Sequence, residues 1–280
     1  MFSKNSSLVS TNWLSSQLTN PQLVILDASV PKPKAKPEDN PLNGLRIPNA
    51  RFFDIDHNFS DTTSPLPHTM VSEDRFNEEA QRLGINNDSI IVIYDNLGIY
   101  AAPRAWWMFR SMGHEQVFIL DGGLPKWNSE GRPVEKVTNS LQVTGNFKGT
   151  FNPSFFRNSD DVLAAIDDDH QRILDARSSG RFHGTEPEPR AGLRGGHIPN
   201  SLSLPFPEVL NGETLKPSEE LANMFREMHI TDQAMVFSCG SGLTACIIAL
   251  AAHEAGFKNL SVYDGSWSEW GQENGLPVEK

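Results

Sequence analysis

The chain has 280 residues, of which 38% are apolar and 21% charged, a composition ordinary for a folded globular protein and too apolar for a disordered one. Its 24 Lys and Arg against 35 Asp and Glu give a net charge of −11, which argues against nucleic acid and anionic membranes as partners. The longest purely apolar run, Ala245–Ala252, is too short to span a bilayer, and Cys239 and Cys246 alone cannot build a disulfide framework or a cysteine-rich zinc site.

In chain order, the N-terminal stretch has no apolar secretory core and no Arg before Arg46, which together with the scarcity of cysteine points to a reducing cytoplasm. The apolar runs Leu23–Asp27 and Ile90–Tyr94 follow, then Met112-Gly113 and the string VFILDGG. Residues 133–153, rich in Val, Thr, Asn and Gly and without helical periodicity, read as a linker lying along the surface. Beyond them, Arg172–Asp175, Ser201–Leu204, Met235–Ser238 and Leu260–Tyr263 read as strands. Asp160–Asp168, Ser218–Met228 and Leu243–Ala255 read as helices, with Ser218 as an N-cap and Glu219 and Glu220 in the first turn.

The second half repeats the first at a period of about 145 residues. LVILD followed by Ala28 matches RILD followed by Ala176. Ile47-Pro48-Asn49-Ala50 matches Ile198-Pro199-Asn200-Ser201, VFILDGG matches LSVYDGS, and Trp127 falls on Trp270. The expected organisation is one domain over 1–135, a linker over 136–154 and a second copy over 155–280. Strands that are apolar throughout and separated by helices imply an α/β fold in which each copy is a mostly parallel sheet with helices on both faces. Sites in such sheets lie outside the carboxyl ends of the strands.

At one such end stands Cys239-Gly240-Ser241-Gly242-Leu243-Thr244-Ala245, followed by an apolar helix. Two glycines let a loop curl until successive N–H groups converge on an anion, and the helix start adds more free N–H groups. A sulfur placed there is expected to be stabilised as thiolate, the form in which cysteine acts as a nucleophile. The plainer reading of Cys239 is a buried strand-end residue, and of Cys246, within ACIIALAA, a core residue with a minor alternative as a resolving thiol. The first copy has Asp95 where the second has Cys239, and Asn96-Leu97-Gly98 where the second has Gly240-Ser241-Gly242. The first copy therefore has no nucleophile and is expected to serve as scaffold and as one wall of the site.

Three other readings compete. Gly240–Ala245 also satisfies G-x-G-x-x-A, with Asp264 about twenty residues on, but only 16 residues follow Asp264 and a dinucleotide-binding unit needs further strands. A cysteine phosphatase needs an Arg where Ala245 stands. A non-catalytic binding or sensor module has no use for an intact Cys239 loop beside a copy that has lost its cysteine.

The tandem copies, the cysteine confined to the second, and CGSGLTA resemble the tandem-rhodanese sulfurtransferases. FFDID, TSPLPH, APRAWWMFR, GRFHGTEPEPR, GHIPNS and YDGSWSEW extend the likeness through nearly the whole chain. Within the family, CGSG followed by an aliphatic residue and Thr is similar to the 3-mercaptopyruvate branch, whereas thiosulfate sulfurtransferases carry Arg and Lys directly after the cysteine.

The resemblance implies two rhodanese-like domains and a ping-pong transfer. Sulfur passes from 3-mercaptopyruvate to a Cys239 persulfide and then to thioredoxin, a small thiol or cyanide, with no cofactor or metal, no nucleic acid and no membrane. It implies that Arg181 and Arg190 hold the donor's carboxylate and keto oxygen, as Arg forks suit a planar carboxylate. Gly240, Gly242, Leu243 and Thr244 would line the donor site. Ser241 would handle a proton, relayed through His68 and Asp56, with Asp54 as the other register for the carboxylate. The plainer readings are surface pairing of the arginines with Glu186 or Glu188, and a loop role for His68. Arg194 is a third candidate cation, His197 reads as a fold residue, and Trp106, Trp107, Trp127, Trp267 and Trp270 read as packing.

Overall fold

The computed structural model describes residues 6–137 and 144–280. Linker positions 138–143 lie outside the described residues. The chain forms two compact units, the first from the described parts of 1–61, 70–152 and 212–215, the second from Thr62–Thr69, Pro153–Asn211 and Lys216–Lys280.

The first unit is built on a five-stranded sheet ordered Leu8–Val9, Val117–Leu120, Ile90–Tyr94, Leu23–Asp27, Arg51–Phe52, parallel at every pairing. The second unit's sheet is ordered Phe156–Arg157, Leu260–Tyr263, Ala234–Ser238, Gln171–Asp175, Leu202–Ser203, again all parallel. Numbered within each unit, both orders read 1-5-4-2-3, so the repeat read from sequence is a repeat of topology. In the central pairs Asp27 stands beside Tyr94 and Asp175 beside Ser238, which makes Asp95 and Cys239 the first residues beyond equivalent strand ends.

Helices complete the layers, and the expected α/β architecture is present. Ala245–Glu254 is buried from Ala245 through Ala252, as befits a helix apolar on all sides. The core of the second unit gathers Val162, Ile173, Ile198, Val236, Tyr263, Trp267 and Trp270. The two indoles related by the repeat make the same bond, Trp127 Nε1 to the Pro133 carbonyl and Trp270 Nε1 to the Pro277 carbonyl, both 2.7 Å. Among the described residues no helix is long and apolar enough to cross a membrane.

Several boundaries differ from the sequence reading. The helix expected from Leu243 begins at Ala245, because Gly242 at φ +74° keeps the chain turning and Leu243-Thr244 stay in the loop. Ser218 is the first helical residue, and Pro217, extended at ψ 143°, is the N-cap. The helix expected over Asp160–Asp168 runs Ser159–Ala165. It starts at a capping box in which Asn158 Oδ1 accepts from the Asp161 N–H (2.9 Å) and Asp161 Oδ2 from the Asn158 N–H (3.2 Å). Residues 144–152 do more than lie on a surface. Gly145, Phe147 and Thr150 donate their N–H groups to the carbonyls of Gln81, Ile85 and Met112, and the Phe147 ring is buried against Phe76 and Phe109 of the first unit.

Candidate active site

The strand Ala234–Ser238 delivers Cys239 into a loop held by residues 266–268. The Cys239 carbonyl accepts from the Trp267 N–H (2.9 Å), and the Gly240 carbonyl from the Ser268 N–H (2.9 Å) and Oγ (2.6 Å). Ser266 Oγ accepts from the N–H groups of Cys239 (3.1 Å) and Gly242 (3.0 Å) while its own hydrogen goes to the Tyr263 carbonyl (2.8 Å). Among the described residues, the N–H groups of Gly240, Ser241, Leu243, Thr244 and Ala245 have no hydrogen-bond partner within the protein. A run of unshared N–H groups at a helix start is a binding surface for an anion. Cys239 itself is buried, at 1% exposure.

The first unit shows what such a loop does with an anion. Asp95 Oδ2 accepts from the N–H groups of Tyr100 (2.8 Å), Ala101 (2.9 Å) and Ala102 (2.9 Å), and Oδ1 from that of Leu97 (2.9 Å). By the repeat those donors correspond to Thr244, Ala245, Cys246 and Ser241. The side chain at the cysteine position thus reaches the N–H groups of its own loop.

Gly240 backs onto cations. A Cβ at this position would lie 3.1 Å from Arg181 Nη2 and 3.8 Å from Arg190 Nη1, so both arginines named from sequence stand at the loop. Arg181 is also tied to Glu188, through Nη2 to Oε2 (2.6 Å) and Nε to both oxygens (3.1 and 3.2 Å). Arg190 has no hydrogen-bond or ion-pair partner among the described residues. Ser241 Oγ lies 3.0 Å from His68 Nδ1, an arrangement made within the second unit because Thr62–Thr69 packs there. His68 holds φ +59°, and its loop is braced by Thr69 Oγ1 donating to the Leu66 carbonyl (3.1 Å). Asp56 is an exposed residue of the first unit, and Asp54 accepts from the backbone N–H of His57, with its Oδ1 3.1 Å from His57 Nδ1.

Other candidates have structural partners. The Arg194 guanidinium caps the carbonyls of Trp270 (2.8 Å) and Leu276 (2.9 Å). His197 stacks on Phe182 at 3.8 Å, with Nδ1 at the Phe182 carbonyl. The Cys246 thiol is fully buried and donates to the Gly242 carbonyl at 3.3 Å. Trp106, Trp107, Trp127, Trp267 and Trp270 are buried. No group of three or more His, Cys, Asp or Glu among the described residues could hold a metal.

Two residues escaped the sequence reading. Arg177, with no exposed side-chain surface, pairs with Asp175 (2.6 Å) and Glu188 (2.8 Å), donates to the Gly196 carbonyl (2.7 Å) and lies 3.9 Å above the Trp267 ring. Burial alone would weaken its hold on the proton, but Asp175 and Glu188 more than offset this and raise its pKa above the ordinary arginine value. Ser266 was hidden inside YDGSWSEW. Its signal is the repeat, since the first copy has Gly123 there, with φ +53° against +47° for Ser266.

A profile of rhodanese-like domains matches residues 10–130 and 158–273. The 3-mercaptopyruvate sulfurtransferase of Escherichia coli (strain K12) is 39% identical over 275 residues, covering 97% of both chains. A mitochondrial protein of Arabidopsis thaliana named thiosulfate/3-mercaptopyruvate sulfurtransferase 1 is 40% identical over 297 residues, covering 97% of this chain and 78% of its own. The crystal structure of SseA from Escherichia coli, described under the rhodanese fold of 3-mercaptopyruvate sulfotransferases, superposes with a TM-score of 0.83 at 36% identity, over 94% of this chain and all of that one.

Proposed function

The chain belongs to the rhodanese-like family, and we propose that within it this protein moves the sulfur of 3-mercaptopyruvate through a Cys239 persulfide to a thiol or cyanide, releasing pyruvate. The observation that carries this reading is the Cys239 loop, with its unshared N–H groups beside the Ser266 clamp and two arginines at Gly240. Such donors suit an anionic sulfur before and after transfer, because the outer sulfur of a persulfide is also anionic.

The steps follow from the residues. Arg190 and Arg181 bind the carboxylate and keto oxygen of the donor, which aligns its sulfur with Cys239 Sγ. The thiolate attacks that sulfur, an S–S bond forms and the C–S bond breaks. The electron pair passes to the departing carbon as an enolate, whose oxygen Arg181 stabilises. The carbon then needs a proton, which the Ser241 hydroxyl, 3.0 Å from His68 Nδ1, supplies. Gly242, Leu243 and Thr244 shape the pocket. In the second half-reaction an acceptor attacks the outer sulfur and Cys239 leaves as thiolate. Thioredoxin or a small thiol in the cytoplasm fits this step, as does cyanide, with neither nucleic acid nor membrane involved. The working division is 1–135 without a nucleophile, a linker over 136–154 and a catalytic domain over 155–280.

Intact mass tests this directly. After 3-mercaptopyruvate is added, the wild type should gain the mass of one sulfur, Cys239→Ser none, and Cys246→Ser the same as wild type. Sulfur transfer retained by Cys239→Ser would overturn the proposal.

A further inference from the structure

Glu188 is the only carboxylate that joins the buried interior to the cations at the loop among the hydrogen bonds of the described residues. Its side chain is 2% exposed. One oxygen accepts from Arg177 Nη1 (2.8 Å), and both accept from Arg181, through Nε and Nη2. Arg177 cannot yield, because Asp175, the Gly196 carbonyl and the Trp267 ring hold it on its other sides. The order from core to loop is therefore Asp175, Arg177, Glu188, Arg181, Gly240.

Two consequences follow. Glu188 takes Nε and one side of Nη2 of Arg181, which leaves the Nη1–Nη2 end of the fork toward Gly240, where Nη2 would come within 3.1 Å and Nη1 within 3.9 Å of a Cβ. A free arginine samples many rotamers, and one clamped through two donors does not. Glu188 also sets charge. Three arginines face two carboxylates, Asp175 and Glu188, so one positive charge is left over, and Arg190 is the cation without a partner among the described residues. That balance matches a donor with one carboxylate and leaves a dianion half compensated.

We infer that Glu188 is a positioning and specificity-determining residue of the donor site: it aims Arg181 at the Cys239 loop and holds the site at the charge of a monoanionic 2-oxo acid. The inference rests on the sulfurtransferase reading and goes beyond it, because nothing in the chemistry of sulfur transfer requires a buried carboxylate behind the arginine.

The test compares Glu188→Gln and Glu188→Asp with wild type, using persulfide formation from 3-mercaptopyruvate and from thiosulfate, at low and high salt, after thermal melts show folded protein. Glu188→Gln keeps an oxygen for Arg181 and removes the charge. The thiosulfate to mercaptopyruvate ratio of kcat/KM should rise about tenfold at low salt, as expected for a unit charge acting over roughly 7 Å at an intermediate dielectric, and fall back as salt rises. Glu188→Asp keeps the charge but not the reach. It should lower kcat for mercaptopyruvate by about tenfold, and the change of ratio that follows should not respond to salt. An unchanged ratio in folded Glu188→Gln, or an equal loss for both donors in both variants, would make Glu188 merely structural. Wild type gives an independent reading: pyruvate should slow alkylation of Cys239 at lower concentration than sulfate, and the reverse order overturns the inference even where a variant fails to fold. If wild type takes no sulfur from 3-mercaptopyruvate at all, the functional reading fails instead.

Discussion

Asp95 Oδ2 lies 2.9 Å from the backbone N–H of Ala102, inside the loop of the first unit that corresponds to the Cys239 loop of the second. The carboxylate is 1% exposed and accepts four backbone N–H groups in all. The first unit has therefore kept the anion-binding geometry of the loop and supplied the anion from its own chain. Asp95→Ala should leave buried donors unsatisfied and destabilise the protein by about 2–5 kcal/mol. Asp95→Asn, which retains an accepting oxygen, should cost less. Urea unfolding monitored by circular dichroism measures both, and an Asp95→Ala variant as stable as wild type would mean that these bonds are replaced by water at no cost.

The two arginines at Gly240 differ in their partners, and their variants should differ as well. Arg190→Ala removes a charge that no group among the described residues pairs with, so the donor half-reaction should lose about 1.5–3 kcal/mol, roughly 10- to 150-fold in kcat/KM. Arg181→Ala should lose a similar amount in kcat/KM. It should also lower thermal stability, because Glu188 is left buried with Arg177 as its remaining partner. Wild-type donor kinetics in both variants would return them to the role of surface cations.

The repeat and the reactive loop were legible because both rest on local signals. Apolar runs ending at the same motif gave the repeat, and glycines beside a cysteine gave the loop. What escaped reading depends on contacts between distant positions. Nothing in DARSSGRF marks Arg177 as a buried cation, since its partners lie 2, 11 and 19 positions on either side, at Asp175, Glu188 and Gly196. The loop itself carries no cation, yet Arg181 and Arg190 reach it from GRFHGTEPEPR, so the absence of Arg and Lys after Cys239 does not leave it without positive charge. The helix expected from Leu243 starts two residues later, and the N-cap expected at Ser218 falls on Pro217, because Gly242 and Pro217 set backbone direction more firmly than a capping side chain does.

Asp27 gives a pH-dependent prediction. Burial raises its pKa above the ordinary carboxylate value, and the nearby Asp95 charge adds to this, against the opposing bonds from the Ser29 N–H and hydroxyl. A carboxyl whose folded pKa is raised is held more tightly as the acid in the folded state. Its contribution to stability is complete below the unfolded pKa and is lost as pH rises through the folded one. Asp27→Asn keeps an oxygen for Ser29 and removes the titration. The variant should therefore be more stable than wild type at neutral pH, with the advantage disappearing in acid below the ordinary carboxylate pKa. Denaturant unfolding at the two pH values decides it, and an advantage that does not change with pH would trace to packing instead.

Ser266 is held at φ +47° where the equivalent position of the first unit is a glycine, and such a conformation costs a non-glycine residue about 1–3 kcal/mol. The hydroxyl explains why a serine can stand there. It joins the N–H groups of Cys239 and Gly242 to the Tyr263 carbonyl, and so fixes which way the loop turns its other donors. Ser266→Gly relieves the backbone while losing three hydrogen bonds of about 1 kcal/mol each, and Ser266→Ala loses the bonds and keeps the strain. Stability should therefore fall in the order wild type, Ser266→Gly, Ser266→Ala. Persulfide formation should be slowed by a similar factor in both variants, about tenfold if one loop donor is misdirected at the reacting sulfur. This separation of two readouts distinguishes loop orientation from general stability. A Ser266→Gly variant that forms persulfide at the wild-type rate would show that the loop holds its shape without the clamp, and that the serine serves the fold alone.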